Sequence, residues 1–313
     1  MMMNQCNRVA IVATAISIML IGQLQAAEHS TVVGLSVANL QADFFNQIKQ
    51  SVEAEGRRSG VKVVTLDARG DSATQVNQIQ DLITRRIDAL IYIPAGATAA
   101  SVPVKAAKKA GIPVVTVDRN PEGAPGDSFI ATDSVAAARE LGMYVAEITG
   151  GEGNVAVIQG QLGTTPEIAR DTGFNAALKG FPRLKISAKQ ASRMWMQDEG
   201  FSIAQDMLQR DPTITVFFGR ADALALGAAQ AVKIANLGHR VTVVGFDGDT
   251  AGLEAVKSGV LQATMTQRTQ LMGRLALRSA IDLKKGVSVP AEQLQRATLT
   301  TKDNVEKFLK VHP

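Results

Sequence analysis

The residues best suited to chemistry stand just past two apolar runs. Ile112-Pro113-Val114-Val115-Thr116-Val117 ends in Asp118-Arg119, and Val241-Thr242-Val243-Val244-Gly245-Phe246 ends in Asp247. Open parallel sheets present ligands to the carboxyl ends of their strands, so each half of the chain sets a carboxylate on one wall of a cleft. A hydroxyl group both donates and accepts. A carboxylate accepting from it and a guanidinium donating to it satisfy groups whose unpaired burial costs about 1–3 kcal/mol each. Aromatic faces pack on the C–H face of a sugar ring, and in a chain with only 4% aromatics the pair Phe44-Phe45 and the single Trp195 stand out. Taken singly, each Asp reads equally well as a loop cap and each Phe as core. Together they fit the binding of a small polyhydroxylated molecule.

Two carboxylates about a cleft also suit glycoside hydrolysis, but no nucleophile–base pair and no metal-ligand cluster accompanies them. The three histidines, His29, His239 and His312, fall near the start of the mature chain, in a surface loop and at the C-terminus. The sequence therefore names no catalytic residue, no metal site and no cofactor.

The elements that must position these residues alternate. Short β-rich runs are expected at Val32–Val37, Val61–Leu66, Ala89–Ile93, Val114–Val117, Val155–Gln159, Ile186–Ala188, Val216–Phe218, Val241–Gly245 and Ala263–Thr266. Stretches with apolar residues at helical spacing separate them, and Asp71, Asp133 and Asp222 stand where N-caps belong. This alternation predicts an α/β fold of two doubly wound parallel-sheet lobes. The loop Thr149-Gly150-Gly151-Glu152-Gly153-Asn154 divides the series and reads as the connection between units. It leaves a helix and enters a strand, the reverse of a phosphate-cradling loop.

Val9–Ile21 is a nearly unbroken apolar run that ends before Gln23-Leu24-Gln25-Ala26-Ala27. It is short for a span of about 20 residues, and small residues follow it, so residues 1–26 read as a secretory signal peptide and the product as periplasmic. The only cysteine, Cys6, precedes the run, leaving the exported chain without a thiol. A net charge of +4 carried by scattered basic residues excludes the clustered basic face of a nucleic-acid binder.

At this point the chain resembles the ribose-binding protein family, the type I periplasmic sugar-binding proteins. The residues that carry the resemblance are Asp43-Phe44-Phe45, the run from Ile112 to Arg119, Ala225-Leu226-Gly227-Ala228 and Val243-Val244-Gly245-Phe246-Asp247-Gly248. The resemblance implies two lobes joined by a three-strand hinge, with crossings near Thr132-Asp133, Thr266-Gln267 and Gln293–Arg296. Residues 27–132 with 268–294 would form one lobe, and 133–267 with 295–313 the other. It implies that Phe44 and Phe45 stack on a ligand, that Asp118, Arg119, Arg170 and Asp247 bond its hydroxyls, and that Trp195, Gln267 and Thr132 join them.

Where ribose binders carry polar groups this chain has Ala38, Ala42, Ile93 and Ala221, which argues for a ligand with fewer hydroxyls or a larger one. Asp249 reads as a solvated carboxylate at the rim. The implied role is that of a monomeric receptor that hands a monosaccharide or polyol to an ABC transporter permease, and presentation to a membrane sensor or chemoreceptor is the alternative. A DNA-binding regulator of the same body would need a helical segment where the apolar leader stands.

Overall fold

The computed structural model describes residues 30–312. Residues 1–26, read as a signal peptide, and His29 lie outside them. In chain order the elements begin β1 (Val32–Val37), α1 (Asp43–Ser59), β2 (Lys62–Asp67), α2 (Ser72–Thr84), β3 (Ala89–Tyr92), α3 (Ser101–Lys109), β4 (Val114–Val117) and β5 (Ser128–Thr132). They continue with α4 (Ser134–Ile148), β6 (Glu152–Gln159), α5 (Thr165–Leu178), β7 (Arg183–Ala191), α6 (Gln197–Arg210), β8 (Val216–Gly219), α7 (Asp222–Ile234), β9 (Thr242–Val244) and α8 (Thr250–Ser258). The last are β10 (Thr264–Thr266), α9 (Thr269–Lys284), β11 (Glu292–Gln295), β12 (Thr298–Thr300) and α10 (Val305–Lys310).

These strands form two lobes. The first sheet is parallel throughout, in the order β2-β1-β3-β4-β5-β11. The second runs β7-β6-β8-β9, also parallel. Parallel bridges from Val244 to Ala263 and from Asp247 to Thr266 bring β10 alongside β9, and β12 pairs antiparallel with β10. In both lobes the second strand lies outside the first and the third inside it. That order creates a switch point between first and third strands, beside which ligands bind.

Both faces of each sheet are covered, which is why the central strands are apolar along their whole length. In β3, Ala89 and Ile91 face the core beneath α1 and α9, with Phe44, Ile48 and Met272, while Leu90 and Tyr92 face Ile79, Leu82 and Val104 of α2 and α3. In the second lobe Val155 and Val157 meet α4 and α5 through Leu141 and Phe174, whereas Ala156 and Ile158 meet α6 and α7 through Ala204 and Leu224. No helix among the described residues is long and apolar enough to cross a membrane.

Several sequence expectations need correction. The glycine loop at 149–154 is not the connection between lobes. It joins α4 to β6 within the second lobe, because α4 packs on α5 although the strand before it belongs to the first sheet. Asp71 and Asp133 do cap α2 and α4, accepting from the Thr74 and Ala136 amides. Asp222 does not: Ala221 holds the cap position and Asp222 turns inward. Strands β5, β11 and β12 and helix α10 were not among the expected elements. Glu292-Gln293-Leu294-Gln295 shows no apolar run because it is an edge strand, paired on one side only.

Candidate functional site

Four buried charges meet between the lobes. Asp118 follows β4 with a left-handed backbone (φ 61°), an arrangement that costs a non-glycine residue about 1–3 kcal/mol and is kept only where the surroundings enforce it. Here its amide donates to the Ile130 carbonyl of β5 at 2.9 Å. Arg119 reaches the exit of β3, donating through one terminal nitrogen to the Pro94 and Ala95 carbonyls at 2.9 Å each. Its Nε lies 3.6 Å from an Asp118 oxygen.

On the other lobe Asp247 follows β9, and Gln267 donates to it at 2.7 Å. Arg170 of α5 lies 3.4 Å from the same Asp247 oxygen, bonds the Arg220 carbonyl, and sits 3.9 Å above the Phe246 ring. All four groups are more than nine-tenths buried.

They line a cavity of about 230 Å3 together with Phe44, Phe45 and Trp195. The two phenylalanines meet edge to face at 5.2 Å. Both also belong to the core of the first lobe. Trp195 stands over Gly160, where a Cβ would fall 1.9 Å from the indole, so the position after β6 must be glycine for the ring to lie there. The guanidinium of Arg119 lies 5.3 Å from the Phe45 ring and 5.8 Å from Trp195, and that of Arg170 is 5.6 Å from Trp195. Three buried donors, Arg119 Nε, Arg170 Nε and Trp195 Nε1, have no hydrogen-bond partner among the described residues. Buried donors are otherwise almost always paired.

Thr132 and Gln267 do not line the cavity. They form a relay behind it: Thr132 donates to Gln267 at 2.5 Å, and Gln267 donates to Asp247. Of the four apolar replacements, Ala42 and Ala221 line the cavity. Ala38 and Ile93 instead lie in the first lobe's core. Asp249 is not a solvated rim charge. It caps α8 by accepting from the Gly252 amide at 2.7 Å, and it lines the cavity.

Burial governs the protonation of these acids. It pushes the Asp247 carboxyl up to about 7 against the pull of Arg170, with the Asp249 charge adding to the rise. It raises Asp249 to about 6, opposed by the Gly252 amide and assisted by Asp43. Asp118 is raised by burial too, with Arg119 and Arg170 opposing.

A family model for the periplasmic binding protein domain matches residues 33–287. The chain belongs to the periplasmic binding protein family. This is a family of solute-binding proteins, not of enzymes. The chain is 33% identical over 257 residues to the ribose import binding protein RbsB of Bacillus subtilis, covering 82% of this chain and 83% of the relative. It is 30% identical over 286 residues to the xylitol-binding protein of Mycolicibacterium smegmatis, covering 91% and 81%. Among solved structures, an ABC transporter solute-binding protein from Bacillus halodurans with bound myo-inositol superposes with a TM-score of 0.85 at 26% identity, covering 90% and 98%. One from Mycobacterium smegmatis with bound glycerol gives 0.85 at 31%, covering 90% and 97%.

Two residues that the sequence did not assign to the site, Arg220 and the expected N-cap Asp222, give this periplasmic binding protein its site geometry. Arg220, fully buried after β8, pairs with Glu167 at 2.9 Å and Asp171 at 2.6 Å, which ties the N-terminal turns of α5 to the strand ends and so sets Arg170. Asp222 accepts from the Gly248 amide at 2.7 Å, the Asp249 amide at 3.1 Å and the Thr264 hydroxyl at 2.6 Å, which fixes the turn after Asp247. A Cβ at Gly245 or Gly252 would fall 2.2 or 2.1 Å from the Asp222 carboxylate, so both glycines make room for it. The sequence signal for a role at the site was, for both, only a charged side chain beside a strand that is otherwise buried.

Proposed function

We propose that this protein binds a monosaccharide or related polyol between its lobes and delivers it, as a monomer, to the permease of an ABC importer. The carrying observation is the convergence of Asp118-Arg119 from one lobe and Arg170 with Asp247 from the other on one cavity flanked by aromatic rings. Carboxylates accept from ligand hydroxyls, and the three unpaired donors supply bonds to ligand oxygens. The proposed contacts are Phe44, Phe45, Asp118, Arg119, Arg170, Trp195 and Asp247, with Thr132 and Gln267 orienting Asp247 from behind. Relatives named for ribose import and xylitol binding, and structures holding myo-inositol and glycerol, support this ligand class.

The proposed lobes are residues 27–132 with 268–294 and 133–267 with 295–313, a division supported by sheet membership, since β5 ends at Thr132 and α9 packs on α1. Export through residues 1–26 completes the reading. Thermal melts of the exported form against pentoses, hexoses, deoxysugars and polyols test it. A binder at a hundred times its dissociation constant adds about 2.7 kcal/mol of stability, and a flat response across the panel would sink the proposal.

A further inference from the structure

The cavity lining has two unlike parts. One part holds the Asp118, Arg119, Arg170 and Asp247 charges and the unpaired donors. The other comes from the starts of α1, α7 and α8 and from Met196, and it includes Ala42, Ala221, Ala223, Leu226 and Ala251. Ala223 and Leu226 stand three residues apart on α7, on one face of the helix. The side chains of these four alanines and of Leu226 can neither donate nor accept a hydrogen bond.

One oxygen of each acid beside this wall is already engaged. An Asp43 oxygen accepts from Gln47 at 2.9 Å and from the Thr250 amide of the other lobe at 3.2 Å, and Asp249 caps α8. The other polar lining residues there, Gln41 and Gln197, are exposed to solvent.

A hydroxyl pressed against these five side chains loses its water and gains no bond from them, whereas a methyl group or hydroxyl-free carbon gains from the same burial. We propose that the ligand is amphipathic: a sugar or polyol whose ring or chain hydroxyls meet the Asp/Arg cluster and whose far end is a deoxy carbon or methyl group seated on Ala42, Ala221, Ala223, Leu226 and Ala251. This rests on the carbohydrate-binding reading above and narrows it to terminally deoxygenated members.

Titration calorimetry on matched pairs tests it, for instance L-fucose against L-galactose, L-rhamnose against L-mannose, and 5-deoxy-D-ribose against D-ribose. In at least one pair the deoxy compound is expected to bind tenfold or more tightly than its parent. Leu226→Asn, or Ala223→Ser should that variant fail to fold, is expected to shrink the ratio at least threefold, because the parent's hydroxyl then has a partner. Parents that bind as tightly as their deoxy forms, or a ratio unmoved by both variants, would overturn the inference while leaving the carbohydrate reading intact. If no member of any pair binds the folded protein, this inference falls, and the wider panel of sugars and polyols decides the carbohydrate reading.

Discussion

At the residue scale, one buried carboxylate from each lobe lines the cavity. Asp118 and Asp247 are buried opposite each other, so removing either strips a charge-assisted bond and leaves a guanidinium unmatched, a loss of about 2–5 kcal/mol. Calorimetry on Asp118→Ala and on Asp247→Ala is expected to give affinities reduced thirtyfold or more, and near-normal affinity in either would misplace the site on that lobe. Asp249→Ala acts first on stability, removing an N-cap worth about 1 kcal/mol. The raised Asp247 value also sets a pH dependence. Between the ordinary carboxylate value of 3.8 and about 7 the folded protein binds more protons here than the unfolded chain does, so this group's stabilising contribution is full below that window and is lost as pH rises through it. Asp249, raised to about 6, acts with the same sign. Urea melts of the ligand-free protein across this window should lose stability as pH rises, and Asp247→Asn should flatten the slope. An identical slope in the variant would show that Asp247 does not titrate as its burial demands.

At the element scale, what was legible in the sequence is what periodicity and strand exits encode. β1 and β4 have the expected bounds because their apolar runs stop at polar turn residues, and Asp118 and Asp247 were visible as the first charges past buried runs. β5, β11 and β12 were not visible. Their residues are mixed or polar, and their pairing is fixed by neighbours far away in sequence, as in Glu292 opposite Phe129. The inward roles of Arg220 and Asp222 escaped for the same reason: their partners lie on α5 and around the β9–α8 turn, and nothing local distinguishes a buried charge from a solvated one or from a helix cap. Gly160 is a further case, since only the fold brings the Trp195 ring onto it. Gly160→Ala must displace that ring. Because Trp195 is the only tryptophan, fluorescence reports it directly: emission should shift in the free variant, and the ligand-induced change expected of the parent protein should shrink. Unchanged emission with an unchanged ligand response would mean that the indole does not occupy the position over Gly160.

At the scale of the whole molecule, binding and closure draw on the same contacts. The lobes touch around the cavity through a reciprocal pair, in which the Asn120 amide donates to the Thr165 hydroxyl at 2.9 Å and that hydroxyl donates to the Asn120 carbonyl at 3.2 Å. A second link joins the Thr250 amide to Asp43. Such bonds exist only when the lobes are together, so they weight the closed form without touching the ligand. Each exchanges water for protein partners and contributes about 1 kcal/mol net, small beside what a ligand held by both lobes supplies. A receptor whose links were much stronger would close without its ligand, and one without them would lose affinity, because apparent affinity scales with the population of the binding-competent form. Thr165→Val removes the hydroxyl while keeping the shape of the side chain. Its expected effect is a several-fold rise in dissociation constant, with small-angle scattering at saturating ligand unchanged from the parent protein, since the ligand still draws Asp118 and Asp247 together. Asp247→Ala should behave oppositely, with scattering that stays extended even at ligand concentrations that saturate the parent, because a ligand held by one lobe has little differential affinity for closure. If Thr165→Val instead blocked compaction, the link at Asn120 rather than the ligand would be what holds the lobes closed.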